Sequence, residues 1–140
     1  MEQNRTAEKL LVYELATQGF HYHDIRQIHE EKVIPSKMIE LVIKWLPAIY
    51  KEHLGKGEHL IRALISAESP FNPSIIIDLF ENSNYNQSIK WTMAYVLAVS
   101  KTDNIDAYIK DQLFDKESTF ERSAFLLPLT ERSKLQIVRN

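Results

Sequence analysis

The sequence contains no cysteine, only three glycines and only five prolines among its 140 residues. The missing cysteine excludes disulfide bonds, thiolate catalysis and cysteine-ligated zinc. All-β folds usually need many glycines and prolines in their turns, so this scarcity favours long helices with short connections. There is no run of about 18 apolar residues, and no apolar region follows the polar residues 1–5. We therefore predict no membrane span and a cytoplasmic location.

An excess of charge of one sign is also lacking, because 17 Lys and Arg residues face 19 Asp and Glu residues, for a formal net charge of -2. Proteins that bind nucleic acid need many basic residues to displace counterions from phosphates. The balanced charge therefore disfavours nucleic acid as a partner. The apolar residues that are present, 44% of the total, suffice for the core of a single domain over residues 1–140.

Apolar residues recur every three or four positions, which predicts helices rather than strands. The predicted helices cover about residues 6–18, 24–32, 36–53, 58–68, 73–82, 86–100, 105–114 and 118–127. We expect Pro47 to kink the third helix or to split it in two, and Gly55-Lys56-Gly57 to form a turn. The predicted N-caps are Thr6, Asp24, Ser36, Asn72 (with Pro73 as the first helical residue), Asp103 or Asn104, and Ser118 or Thr119.

The inward positions of three helices match at a period of about thirty residues. The three copies are Leu60, Ala63, Leu64 and Ala67; Ile89, Thr92, Met93 and Val96; and Phe120, Ser123, Ala124 and Leu127. Another amphipathic helix precedes each of them. The pattern predicts an all-α protein in which antiparallel helix pairs are stacked.

At this level the chain resembles the HEAT-repeat family over about residues 36–128. The resemblance is carried by residues 75–80 (IIIDLF), a polar turn and residues 88–97 (SIKWTMAYVL), and again by residues 108–114 (YIKDQLF) and 120–127 (FERSAFLL). The apolar-basic pair Ile89-Lys90 follows the family pattern, whereas Phe120-Glu121 departs from it. The resemblance implies a short right-handed superhelical stack that serves as a scaffold. Some members of the family bind or act on DNA.

The repeat register also predicts a row of residues on one face of the stack. Equivalent positions of the three copies are Arg62, Trp91 and Arg122, with Tyr95 one turn beyond Trp91 and Lys90 beside it. Arginine and aromatic residues are common anchors of protein interfaces, so this row is a candidate protein-binding face. In the alternative interpretation, Trp91 and Tyr95 pack between neighbouring helices as part of the core.

No catalytic or metal motif emerges from the remaining residues. His21 and His23 are two positions apart, a spacing that does not place two ligands on one face of a helix. Gly55-Lys56-Gly57 lacks the other residues of a phosphate-binding loop. A DNA-reading helix at residues 36–44 would need a basic outer side, yet this segment carries Glu40 and many aliphatic residues. The acidic clusters, at 30–31, 103–106 and 111–117, are typical of polar helix faces and helix starts.

These observations predict a non-enzymatic protein–protein interaction domain without a cofactor or metal: an adaptor, a scaffold, or an inhibitor of the immunity-protein type. The alternative is a HEAT-like DNA-binding or DNA-repair module. The partner would be another protein, and the chain would be a monomer or a homodimer, because unsealed terminal repeats expose apolar faces. Whether the helices of residues 1–34 form a repeat or a cap stays open at this level.

Overall fold

The computed structural model describes residues 6–117 and 119–126, and in these residues it contains helices and no β-strand, which confirms the all-α class. The α-helices are α1 (Ala7–Thr17), α2 (Ile25–His29), α3 (Ser36–Glu52), α4 (Leu54–Ala63), α5 (Ser74–Asn82), α6 (Gln87–Val99) and α7 (Asp106–Lys110). A 3₁₀ turn (Leu64–Ser66) extends α4, a π-helical turn (Asp111–Asp115) extends α7, and a terminal 3₁₀ helix covers Glu121–Phe125. None of the described helices is long and apolar enough to cross a membrane.

Two of the predicted N-caps are confirmed by hydrogen bonds. Thr6 Oγ1 accepts from the backbone N–H of Lys9, and Asp24 Oδ1 accepts from that of Gln27, each at 3.2 Å. These bonds satisfy backbone donors that have no partner inside the helix. A local sequence pattern was therefore enough to locate the starts of α1 and α2.

Other predicted helix starts are wrong. Ser36 is the first residue of α3 rather than its cap, and its backbone N–H donates to Glu68 Oε2 at 3.0 Å. Pro73 lies at the N-cap of α5, one position before the predicted place, although Asn72 Oδ1 does accept from Ser74 N–H at 2.9 Å. In both cases the first backbone N–H of the helix donates to a side chain that does not belong to the N-cap residue.

The predicted turn at Gly55-Lys56-Gly57 is also wrong, because these residues belong to α4. The helix begins at Leu54, and His53 Nδ1 caps it by accepting from Lys56 N–H at 3.2 Å. Gly57 is buried against the ring of Tyr50. Because glycine has no side chain, α3 and α4 can approach each other closely at this position, which is not a turn.

Pro47 does not split the third helix, which runs unbroken as α3 from Ser36 to Glu52. Proline removes one backbone N–H from such a helix. The apolar side of α3 compensates for this loss by packing in the core, where Val42, Leu46 and Ile49 are buried. Burial of this kind supplies most of the stability of helices in proteins.

The C-terminal part departs most from the prediction. Neither Asp103 nor Asn104 caps α7, which is preceded by Ile105 without a side-chain cap. The expected helix of residues 118–127 is the short terminal 3₁₀ helix, at whose start Phe120 is 56% exposed instead of inward. Ser123 is exposed as well. Ser118 and Leu127 lie outside the described residues.

The helices pack in two successive rows. In the first row α1 contacts α3, and α3 contacts α5; in the second, α2 contacts α4, α4 contacts α6, and α6 contacts the terminal 3₁₀ helix. Contacts between α3 and α4 and between α5 and α6 join the two rows. All eight inward positions of the first two predicted copies are buried; they lie on α4 and its extension, at Ala67 directly after it, and on α6.

The loops after α2, α4 and α6 lie side by side and are joined by two isolated parallel bridges, Ile34 with Ala67 and Phe71 with Thr102. Ile34 donates to the carbonyl of Ser66 and accepts from Glu68 N–H, at 2.8 and 2.9 Å. Phe71 repeats this pattern one loop later, with bonds of 3.1 and 2.9 Å. The backbone thus shows the same local pairing twice, each time between residues about thirty positions apart.

Candidate protein-binding site

Arg62, the first residue of the predicted row, belongs to a hydrogen-bonded network between three helices. Its guanidinium donates to Thr92 Oγ1 at 3.3 Å, and Thr92 donates to Glu58 Oε2 at 2.8 Å. Tyr50 donates to the other oxygen of Glu58 at 2.8 Å. Burial, followed by the charge of Glu58, raises the pKa of Tyr50 well above its usual range. The network holds α3, α4 and α6 together. One hydrogen-bond donor of Arg62 is therefore already satisfied inside the molecule.

Trp91 and Tyr95 stack on each other on α6, with ring centroids 5.3 Å apart and an interplanar angle of 8°. Both side chains are half-buried and pack against the core. The pair combines the two alternatives drawn from the sequence, since one side of it contributes to the core and the remainder is open to solvent.

Lys90 and Arg122 are brought together by the fold. Both line a polar cleft of about 340 Å³, together with Glu81, Lys116 and Glu121. Arg122 is held in place, because its Nε donates to Oε1 of the buried Gln112 at 2.9 Å. Three cations in this cleft face two carboxylates, so its charges nearly balance.

A larger groove, of about 630 Å³, lies between α3 and the segment that leads into α5. Its volume falls in the range of about 300–1,000 Å³ that is usual for binding pockets. One wall is formed by side chains three and four positions apart on α3, and the other by the segment around Phe71 and by Ile75. The α3 residues that line it are Ser36, Ile39, Glu40, Ile43 and Lys44.

The apolar lining of this groove is accessible from outside at Ile43 and Ile75. Phe71 and Ile39 are buried, Ile43 is half-buried, and Ile75 is 37% exposed. The groove's walls are tied together at one end, where Ser36 Oγ and Ser69 Oγ share a hydrogen bond of 2.8 Å. Burial of apolar surface is the main favourable term in association, so the groove can accept an apolar side chain of a partner.

This groove was not predicted from the sequence, which contains a single signal of it. The apolar stripe on α3 is wider than contact with one neighbouring helix requires. It consists of Ile39, Val42, Ile43 and Leu46. In the structure Val42 and Leu46 enter the core, while Ile43 turns toward the groove. The opposite wall comes from residues 69–75 and from Asp103, which no helix periodicity could place there.

The histidines were the other candidates for chemistry. His21 and His23 are exposed, and no group of three or more His, Asp or Glu side chains in the described ranges could hold a metal ion. His29 on α2 and His59 on α4 do meet, with their Nδ1 atoms 2.8 Å apart. Burial, followed by the charges of His59 and Arg62, lowers the pKa of His29. At this distance at least one of the two imidazoles must be neutral.

Comparison of the chain with protein-family models, with characterised proteins and with solved structures gives no significant match. Among the described residues, the groove combines a pocket-sized volume with two accessible apolar side chains, Ile43 and Ile75, and the polar cleft offers Lys90 and Arg122.

Proposed function

We propose that this protein is a non-enzymatic protein–protein interaction domain and that it binds its partner in the groove between α3 and α5. The observation that carries the proposal is the groove itself, with Ile43 and Ile75 accessible on opposite walls. Apolar side chains that fill such pockets usually dominate the binding energy of an interface. An adaptor, a scaffold and an inhibitor would all use a surface of this kind.

We further propose that the helices form a short right-handed superhelical stack of antiparallel pairs, similar to HEAT repeats. Two observations support this arrangement. The helices contact one another in two rows, and the bridges at Ile34 and Phe71 repeat one bonding pattern from loop to loop. In such a stack the same surface feature recurs at each layer, and extended binding surfaces result.

The predicted row ranks behind the groove as the binding surface. Arg62 and Arg122 both donate hydrogen bonds inside the molecule, and a partner would have to replace these bonds. Trp91 and Tyr95 have already buried part of their rings against the core. A partner would gain less from these side chains than from the open groove.

A DNA-binding or DNA-repair role is the alternative. It would rely on the polar cleft, where Lys90, Lys116 and Arg122 supply positive charge and Glu81 and Glu121 oppose it. Retention on heparin that falls steeply with salt would favour this alternative, because phosphate contacts release counterions. The mixed charge of the cleft leads us to expect weak retention.

The test compares two isoleucines of nearly equal exposure. Ile75 lines the groove and is 37% exposed, whereas Ile65 does not line it and is 38% exposed. Ile75→Asp lies in the first turn of α5, where a negative charge suits the helix dipole, so we expect the variant to fold. The wild-type protein and both variants serve as bait in affinity capture with quantitative mass spectrometry. The direct affinity of the purified partner is then measured by calorimetry.

We expect Ile75→Asp to weaken binding of the partner by about tenfold or more, the effect of removing an interface anchor. Ile65→Asp should leave the affinity unchanged. Circular dichroism is the control that checks whether both variants are folded. Equal binding by the wild type and Ile75→Asp would exclude the groove as the binding site.

A further inference from the structure

Two carboxylates in the groove have no hydrogen-bond or ion-pair partner among the described residues. Glu40 projects from α3 and Asp103 comes from the loop after α6, and both line the groove. Neither carboxylate accepts a hydrogen bond or forms an ion pair within the described residues. Lys44, the one cation in the lining, is already paired with Glu14, with 2.9 Å between Lys44 Nζ and Glu14 Oε1.

Neither carboxylate has a structural task that would explain its position. Glu40 lies past the first turn of α3, where the helix dipole no longer stabilises negative charge. Asp103 is not used as a cap, because α7 begins at Asp106 behind Ile105. The backbone at Asp103 is nevertheless held firmly, since its N–H donates to the carbonyl of Phe71 at 2.9 Å. The loop therefore presents this carboxylate at the edge of the apolar floor.

We propose that the occupant of the groove is a peptide segment of a partner protein in which an apolar side chain is flanked by lysine or arginine. The apolar side chain contacts Ile43, Phe71 and Ile75, and the basic residues pair with Glu40 and Asp103. This inference rests on the proposed function and specifies the chemistry of the partner. Complementary charge across an interface steers the encounter and selects among partners.

The experiment uses a displayed library of random 12-residue peptides, panned against the full chain. Peptides that bind the groove are identified by loss of binding to Ile75→Asn and retention on Ile65→Asn, which remove the apolar side chain without adding a charge. Their affinities are measured by fluorescence anisotropy for the wild type, Glu40→Gln, Asp103→Asn and the double variant. Glu30→Gln, which removes an exposed carboxylate outside the groove, is the matched control.

We expect the groove peptides to be enriched in Lys or Arg beside an apolar residue. Each single variant should weaken their binding about threefold, and the double variant about tenfold, as for solvent-accessible ion pairs. Salt should weaken binding to the wild type more than binding to the double variant. The Glu30→Gln control should behave as the wild type.

The outcomes separate the two proposals. Groove peptides that are neutral or acidic, or that bind the double variant as tightly as the wild type, overturn the basic partner and leave the proposed function standing. A library that yields no peptide sensitive to Ile75→Asn overturns both proposals.

Discussion

Two glycines in α4, two positions apart, should respond differently to alanine. A Cβ atom added at Gly57 would lie 2.5 Å from Cδ1 and 2.6 Å from Cγ of Tyr50. These atoms cannot swing away, since the Tyr50 side chain is 1% exposed and its hydroxyl is bonded to Glu58. At Gly55 the added atom would meet only the ring of the exposed His53, at 3.1 Å and beyond.

The magnitudes follow from two opposing terms. Alanine is better than glycine inside a helix by about 1 kcal/mol, whereas overpacking a core costs about 1–3 kcal/mol. The short contacts at Gly57 place this site in the upper half of that range, so we expect Gly57→Ala to destabilise the protein by about 1–2 kcal/mol. For Gly55→Ala we expect a change of at most about 1 kcal/mol, because the helix preference of alanine is opposed where the shift of the His53 ring weakens its cap bond to Lys56 N–H.

Urea unfolding followed by circular dichroism measures both changes, and the slope of the transition shows whether unfolding remains two-state. Restoration of stability by the double variant Gly57→Ala with Tyr50→Leu, relative to Tyr50→Leu alone, would locate the clash at the tyrosine ring. An equal gain in stability from both glycine substitutions would refute the close approach of Tyr50 and with it the packing of α3 on α4.

Two further predictions concern the helix ends and pH. Asn86 Oδ1 accepts from Ile89 N–H at 3.0 Å at the start of α6, so Asn86→Ala should lose about 1 kcal/mol of stability in urea unfolding, and Asn86→Asp should lose much less. The lowered pKa of His29 means that the unfolded chain binds a proton more readily. Its contribution to stability is therefore complete above the ordinary histidine pKa of 6.5 and declines as pH falls below it. His29→Gln should flatten this decline in unfolding curves measured between about pH 5 and 8, while the same substitution at the exposed His21 serves as the control; an unchanged slope in His29→Gln would contradict the assignment.

The predictions that succeeded concern features encoded by neighbouring residues. Thr6 and Asp24 cap their helices through bonds to residues three positions away, and such bonds depend on little else. The apolar period likewise identified the buried faces of α4 and α6, because a helix presents every third and fourth residue to one side. The resemblance to HEAT repeats goes further than these local features and stays a proposal.

The failures arose where a distant residue decides the conformation. In the sequence Gly57 is typical of a turn, but in the structure it lies against the ring of Tyr50. The sequence also predicts Asp103 as an N-cap, yet its loop is positioned by the hydrogen bond from Asp103 N–H to the carbonyl of Phe71. Ser36 reads as a cap too, but Glu68, which lies far along the chain, takes its N–H. In each case a tertiary contact outweighs a local preference.

Residue order alone was sufficient for the all-α class, for the extent of most helices and for the spacing of about thirty residues between the matching core positions of the first two copies. These properties follow from hydrogen bonds and apolar periodicity within short stretches of chain. The groove could be located only in three dimensions, because its walls come from α3, from residues 69–75 and from Asp103. Packing of the helix rows brings these segments together, and it leaves two carboxylates beside an apolar floor that no single segment contains.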